Sequence, residues 1–106
     1  MWSKVGIEAV SNVALLETGE LAVGLESRGK PSYQFVYRAG RGVYWDAARR
    51  EFRSRGRVDW PSSKWFRHIV SAVKSELGVE LRLGKNVSFQ NVPDCEQVEI
   101  RNSDAT

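Results

Sequence analysis

An α+β domain is what this sequence predicts, an antiparallel meander sheet of five to seven strands packed around one long helix at about residues 62–77. Three observations predict it. Up to residue 60 the apolar residues mostly recur with period two, the spacing of a strand that buries one face. One later stretch alone keeps a helical stripe, with Phe66, Ile69, Val70, Val73 and Leu77 at i, i+3, i+4, i+7 and i+11. And 106 residues can close one core but not two, so residues 1–101 are expected as a single domain followed by a frayed tail at 102–106.

The strands follow in chain order. Val5, Ile7 and Ala9 alternate with other residues, and Val13 and Leu15 then face opposite to Ala14 and Leu16. Thr18-Gly19 is a tight-turn signal, because glycine tolerates the positive φ of hairpin turns, and Leu21, Val23 and Leu25 resume the alternation. "SRGKPS" at 27–32 breaks the chain before Tyr33, Phe35 and Tyr37, which alternate as a further strand. "AGRG" at 39–42 turns into Val43-Tyr44-Trp45-Asp46. Residues 46–52 fit either a short helix capped by Asp46 or a hairpin loop at 47–50. The hairpin is favoured, because only Ala48 and Phe52 would share a helical stripe. Phe52, Ser54, Gly56, Val58 and Trp60 then face one side and Arg53, Arg55 and Arg57 the other.

Asp59 or Ser62 can cap the helix, Pro61 suits its first turn, and Gly78 can stop it in the left-handed conformation. Val79, Leu81 and Leu83 form a strand, "GKN" turns, and Val87 and Phe89 begin a last one. Residues 94–100 fit a short helix or a strand.

The net charge of +3 is unevenly distributed. Residues 1–37 sum to −1, residues 38–67 to +6 and residues 68–106 to −2, so the middle third would attract an anionic partner. No apolar run approaches 18 residues, and Met1-Trp2-Ser3-Lys4 leads into no apolar h-region. No membrane span and a cytoplasmic location are therefore expected. Cys95, the lone cysteine, forbids an intramolecular disulfide, which fits a reducing compartment.

Most chemistries lack their residues. One histidine and one cysteine cannot build a finger-type or zincin-type zinc site, so no metal is expected. His68 lies off the apolar stripe, where a partly exposed structural role outweighs catalysis, and nothing places Cys95 among electropositive neighbours. "AGRGV" lacks the glycines of a phosphate-cradling loop, and Asp46, Glu51 and Asp59 each have an arginine close by, as surface acids do. No catalytic residue and no cofactor are expected.

Nine of the eleven aromatics fall between Tyr33 and Phe66, and their alternation favours a core over a stacking platform. The competing reading leaves Tyr33, Tyr37 and Trp45 lining a partly open cavity. The arginines of "EFRSRGRVDW" have a similar choice. At strand rise Arg53, Arg55 and Arg57 stand about 7 Å apart on an exposed face. There they deter edge-to-edge aggregation or, with Arg49 and Arg50, contact an anion or nucleic acid.

"IEAVSNVALLETGELAVGLES", "GVYWDAARREF" and "SKWFRHIVSAVKSELGVEL", in this order, resemble small uncharacterised bacterial proteins of the integron gene cassette type. The resemblance spans most of the chain and implies a bacterial, cytoplasmic origin and self-association, while lending no site; the apolar and aromatic edge segments of a small sheet make a two-fold homodimer the expected form. The expected function is non-enzymatic binding or self-assembly with an unidentified partner. The alternative is a nucleic-acid module using segment 38–67, and the third choice is a small enzyme or ligand binder with an aromatic-lined cavity.

Overall fold

The computed structural model describes residues 6–40, 42–54 and 60–104. Arg55, Arg57 and Asp59, on which parts of the arginine row and the helix cap rested, lie outside the described residues. The elements run β1 (Gly6–Leu15), β2 (Leu21–Leu25), a 3-10 helix (Pro31–Ala39), β3 (Val43–Asp46), β4 (Glu51–Ser54), α1 (Ser62–Leu77), β5 (Val79–Gln90) and α2 (Asp94–Asp104). Among the described residues the five strands form one sheet in the order β3-β4-β2-β1-β5. The α+β class holds, but the sheet is mixed and its order is not a meander. β1 pairs with β5 in parallel, while the other three pairings are antiparallel.

The parallel pair follows from the long helix. β4 is antiparallel to β2, and β2 to β1, so β4 and β5 run the same way with α1 as the crossover between them. Parallel strands need a dozen or more connecting residues, usually helical, and α1 supplies 16. A strand, a long helix and a second strand were therefore the signal of a crossover.

The change of phase in the first strand is a bulge. The β1–β2 register slips between Val10 and Asn12, so one extra residue keeps both Val10 and Val13 fully buried on the core side. Two expected strands are thus one. The "GKN" turn has the same fate: against β1, Leu83 pairs with Val10 and Ser88 with Asn12, and residues 84–87 are accommodated within the single strand β5.

Residues 33–37 form no strand. They lie in the 3-10 helix, where side chains three apart are eclipsed and form a ridge. Tyr33 and Val36 are buried and Ala39 half-buried, whereas Phe35 and Tyr37 are exposed. The aromatics that alternate in sequence are thereby separated, Tyr33 to the core and the other two to the surface.

α1 has the expected bounds, and Gly78 ends it at φ 70° with its N–H donating to the Lys74 carbonyl. Trp65, Phe66, Ile69, Ala72 and Val73 are its buried face, packed with Leu21, Val23 and Phe52 of the sheet. Its N-cap is Pro61, ahead of the first turn where the proline was expected, and Pro61 offers no side-chain acceptor. Glu96 of α2 replaces the missing cap, accepting the Ser63 N–H at 2.7 Å. α2 is a second helix of 11 residues, so the fold does not rest on one helix, and its turns reach Asp104 within the tail expected to fray. No helix among the described residues is long and apolar enough to cross a membrane.

Candidate functional site

The β3–β4 hairpin sorts its residues onto two faces. Cross-strand pairs Trp45–Phe52 and Val43–Ser54 alternate with Tyr44–Arg53 and Asp46–Glu51. Phe52 and Ser54 are fully buried, the Ser54 hydroxyl accepting the Leu21 N–H at 2.9 Å. Arg53 faces the other way, as expected, and Tyr44 with it, but that face is not open at this position: the Arg53 side chain is only 16% exposed.

Arg53 is held by carboxylates. Its Nε donates to Glu51 at 2.6 Å, and its terminal nitrogens lie 3.5 Å from Glu20 and 3.6 Å from Asp46. The Tyr44 hydroxyl donates to Glu20 at 3.2 Å. The Glu51 hydrogen bond, against the opposing pull of burial, raises the Arg53 guanidinium further above its ordinary range. Three acids around one base leave this face with negative charge, and they occupy the donors an incoming phosphate would need.

The opposite face of the same hairpin carries a different arrangement. Trp45, half-buried, packs edge-on against Tyr33 at 5.4 Å and tilted against Phe52 at 4.7 Å. Such ring pairs add about 0.5–1.5 kcal/mol each beyond burial, which fixes the indole. Onto it folds the loop after β2. Gly29 has φ +75°, and a Cβ there would stand 2.6 Å from Trp45 Cζ2, so only glycine lets the backbone lie against the ring.

That loop is pinned from below. The Gly29 N–H donates to Ser27 Oγ at 3.0 Å, and Ser27 Oγ donates to Glu8 Oε1 at 2.6 Å. The buried Tyr33 hydroxyl donates to the other Glu8 oxygen. Burial first, and the Glu8 carboxylate second, push the Tyr33 hydroxyl well above the ordinary tyrosine range, so it remains a donor.

Arg28 and Lys30, on either side of Gly29, are exposed. With Pro31, Gln34 and Ala47 they enclose a groove of about 330 Å³ walled by Trp45. Ala47 opens the 47–50 turn, which also carries Arg49 and Arg50 and is closed by the Arg49 N–H donating to Asp46 Oδ1 at 3.1 Å. Arg50 sits at φ 57°, a left-handed position that costs an ordinary residue about 1–2 kcal/mol. Among the described residues, none of the side chains of Arg28, Lys30, Arg49 and Arg50 makes an ion pair. The groove thus offers an aromatic wall, an amide and two cations of its own, with Arg49 and Arg50 on the adjoining turn.

The expected residues are therefore divided. Trp45 lines the groove, Tyr33 buttresses it from the core, and Tyr37 stands outside it at 59% exposure. Arg49 and Arg50 lie on the adjoining turn, whereas Arg53 belongs to the carboxylate cluster of the other face. Arg28, Lys30 and Gln34 were missed. Their signal was present in "SRGKPSYQ", two cations about a glycine with no acid among them.

Two other grooves are less suited to chemistry. One, of about 350 Å³, lies between α1, β5 and α2 over Phe66 and Leu81; three of its four charges pair among themselves, Glu80 with Lys74 at 3.7 Å and with Arg82 at 2.7 Å, leaving Arg67 as its one cation outside that cluster. The other, of about 380 Å³, holds Cys95 and the Glu96 carboxylate that caps α1. His68 is in edge contact with Trp60 and Trp65 at 5.2 and 5.5 Å, a packing position beside that groove. Among the described residues no three His, Cys, Asp or Glu side chains converge as metal ligands would.

Comparison with known proteins gives a family. A solved structure described as an integron cassette protein, Hfx_Cass5, from the mobile metagenome of the North West Arm sewage outfall is 27% identical over the whole of both chains, with a TM-score of 0.40. No curated protein matches. The family model for Integron Cassette Protein Hfx_Cass5 matches residues 12–87, from the bulge of β1 to the second half of β5, and the chain belongs to that family.

Proposed function

We propose that the protein is a non-catalytic binding protein, that the Trp45 groove is its site, and that its ligand joins a phosphate or comparable anion to a flat ring. The observation that carries this reading is the pair Arg28 and Lys30, set beside an indole with no ion-pair partner among the described residues, while Glu20, Asp46 and Glu51 are engaged with Arg53 and Glu8 accepts from Ser27 and Tyr33. The groove volume is at the lower end of the range for small-molecule sites. Gln34 adds a donor and an acceptor, and the Glu8–Ser27–Gly29 chain supports the rim at fixed geometry. Calorimetric titration with a nucleoside monophosphate at low salt tests it. Arg28→Ala/Lys30→Ala should weaken binding at least about tenfold, the worth of one charge-assisted hydrogen bond. Lys85→Ala, an exposed cation on β5, should leave it unchanged.

Self-association is the second reading, favoured by the outermost strands: β3 and β5 end the sheet among the described residues, and Ile7 beside β5 is 68% exposed. A molecular mass by light scattering that stays monomeric at every concentration would remove it.

A further inference from the structure

We infer that the ligand of the Trp45 groove is single-stranded nucleic acid, with Tyr37 as the platform for a second base. This rests on the groove being an anion site and names what occupies it.

The 3-10 helix supplies the geometry. Pro31, Gln34 and Tyr37 are three residues apart and share one ridge, each step rising about 6 Å. Pro31 and Gln34 line the groove, so Tyr37 stands one turn beyond it on the same line. Tyr37 is a large exposed ring without a hydrogen bond or ring contact among the described residues, so the fold makes no visible use of it. A stacked strand carries one charge per ~3.4 Å, so the ~6 Å rise from Gln34 to Tyr37 along the ridge matches about two nucleotide steps.

Further cations lie on the elements that flank the groove. Beyond Arg28 and Lys30, the 47–50 turn contributes Arg49 and Arg50, and Arg38 follows Tyr37 with its guanidinium 4.5 Å over the Phe35 ring. That contact orients Arg38 without neutralising it. Five cations on and around the groove exceed what one phosphate can use, and cations gathered beside aromatic rings are the pattern that tracks a strand. Arg50 fits the same reading, since an arginine occupies a backbone position easier for glycine. Stacking accepts any base, so binding should depend little on sequence.

Fluorescence anisotropy with labelled homopyrimidine strands of one, two, four and eight nucleotides, as DNA and as RNA, tests the inference. Affinity should rise at least about tenfold from one to four nucleotides and fall with salt at a logarithmic slope near −0.7 per phosphate engaged. Tyr37→Ala should weaken the four-nucleotide strand roughly 5- to 150-fold, the worth of one stacked base, and leave the mononucleotide unchanged. Tyr37→Phe should bind as wild type does. The DNA and RNA arms tell which strand is preferred. Four nucleotides binding no better than one, or Tyr37→Ala without effect, overturns the strand while leaving the anion site intact. If Arg28→Ala/Lys30→Ala leaves even the mononucleotide unaffected, the anion site itself is lost.

Discussion

Glu96 and Gly29 each occupy a position where a small change has a large structural effect. Glu96 is the distant cap of α1, and the Ser63 amide, then the Ser63 hydroxyl, hold its carboxyl below the ordinary glutamate range. A depressed value in the fold means that its contribution is full above the unfolded value and is lost as pH falls through the folded one. Glu96→Ala should therefore cost about 1 kcal/mol near neutral pH, the usual worth of a cap, and reduce the acid sensitivity of urea midpoints below pH 4.5. Glu96→Gln should keep the amide bond and lose the pH dependence. At Gly29, alanine would meet both a left-handed backbone and the Trp45 ring at 2.6 Å, for a combined cost of about 2–5 kcal/mol. Thermal unfolding reads that loss, and ligand titration should show the groove weakened with it. Neither role could be read along the chain. The cap joins residues 33 apart, and a glycine between two cations shows nothing of the ring it lies against.

At the scale of elements, strong local patterns were legible and pairings were not. α1 and its glycine stop follow from a sustained stripe, and the 47–50 turn from the weakness of any helical alternative there. The strand expected at 33–37 failed because Tyr33, Phe35 and Tyr37 satisfy period two, while burial at 33, 36 and 39 obeys period three, and polar spacing alone does not separate the two. The parallel β5 was hidden because alternation is the same in either direction. In the candidate site, Trp45 was legible as an aromatic of the hairpin, but Arg28 and Lys30 became its neighbours only through the packing of the β2 loop. The hairpin also yields a prediction. Arg50 at φ 57° should be relieved by glycine, so Arg50→Gly should raise stability by up to about 1 kcal/mol after glycine's own entropy cost, while anion affinity falls. Denaturant melts and titrations of the same variant give both signs.

Over the whole molecule, the +6 charge of residues 38–67 is not one patch. The sheet divides it: Arg53 turns to a face with three carboxylates, and the cations of the 47–50 turn, without an ion pair among the described residues, join Arg28 and Lys30 from a segment whose own sum is negative. A charge sum along the chain thus marks the neighbourhood and misses half the residues. The central claim, that an anion carrying a flat ring binds against Trp45, is tested most directly by proton–nitrogen NMR during titration with a nucleoside monophosphate. Four indole N–H signals report the four tryptophans, and Trp45→Phe assigns the decisive one. The Trp45 indole and the amides of residues 28–30, 34 and 47 should shift together and saturably, with the Trp60 and Trp65 indoles still. Shifts centred on Trp60, Trp65 and Glu96, or on Lys74 and Arg82, with the Trp45 indole unmoved, would contradict it.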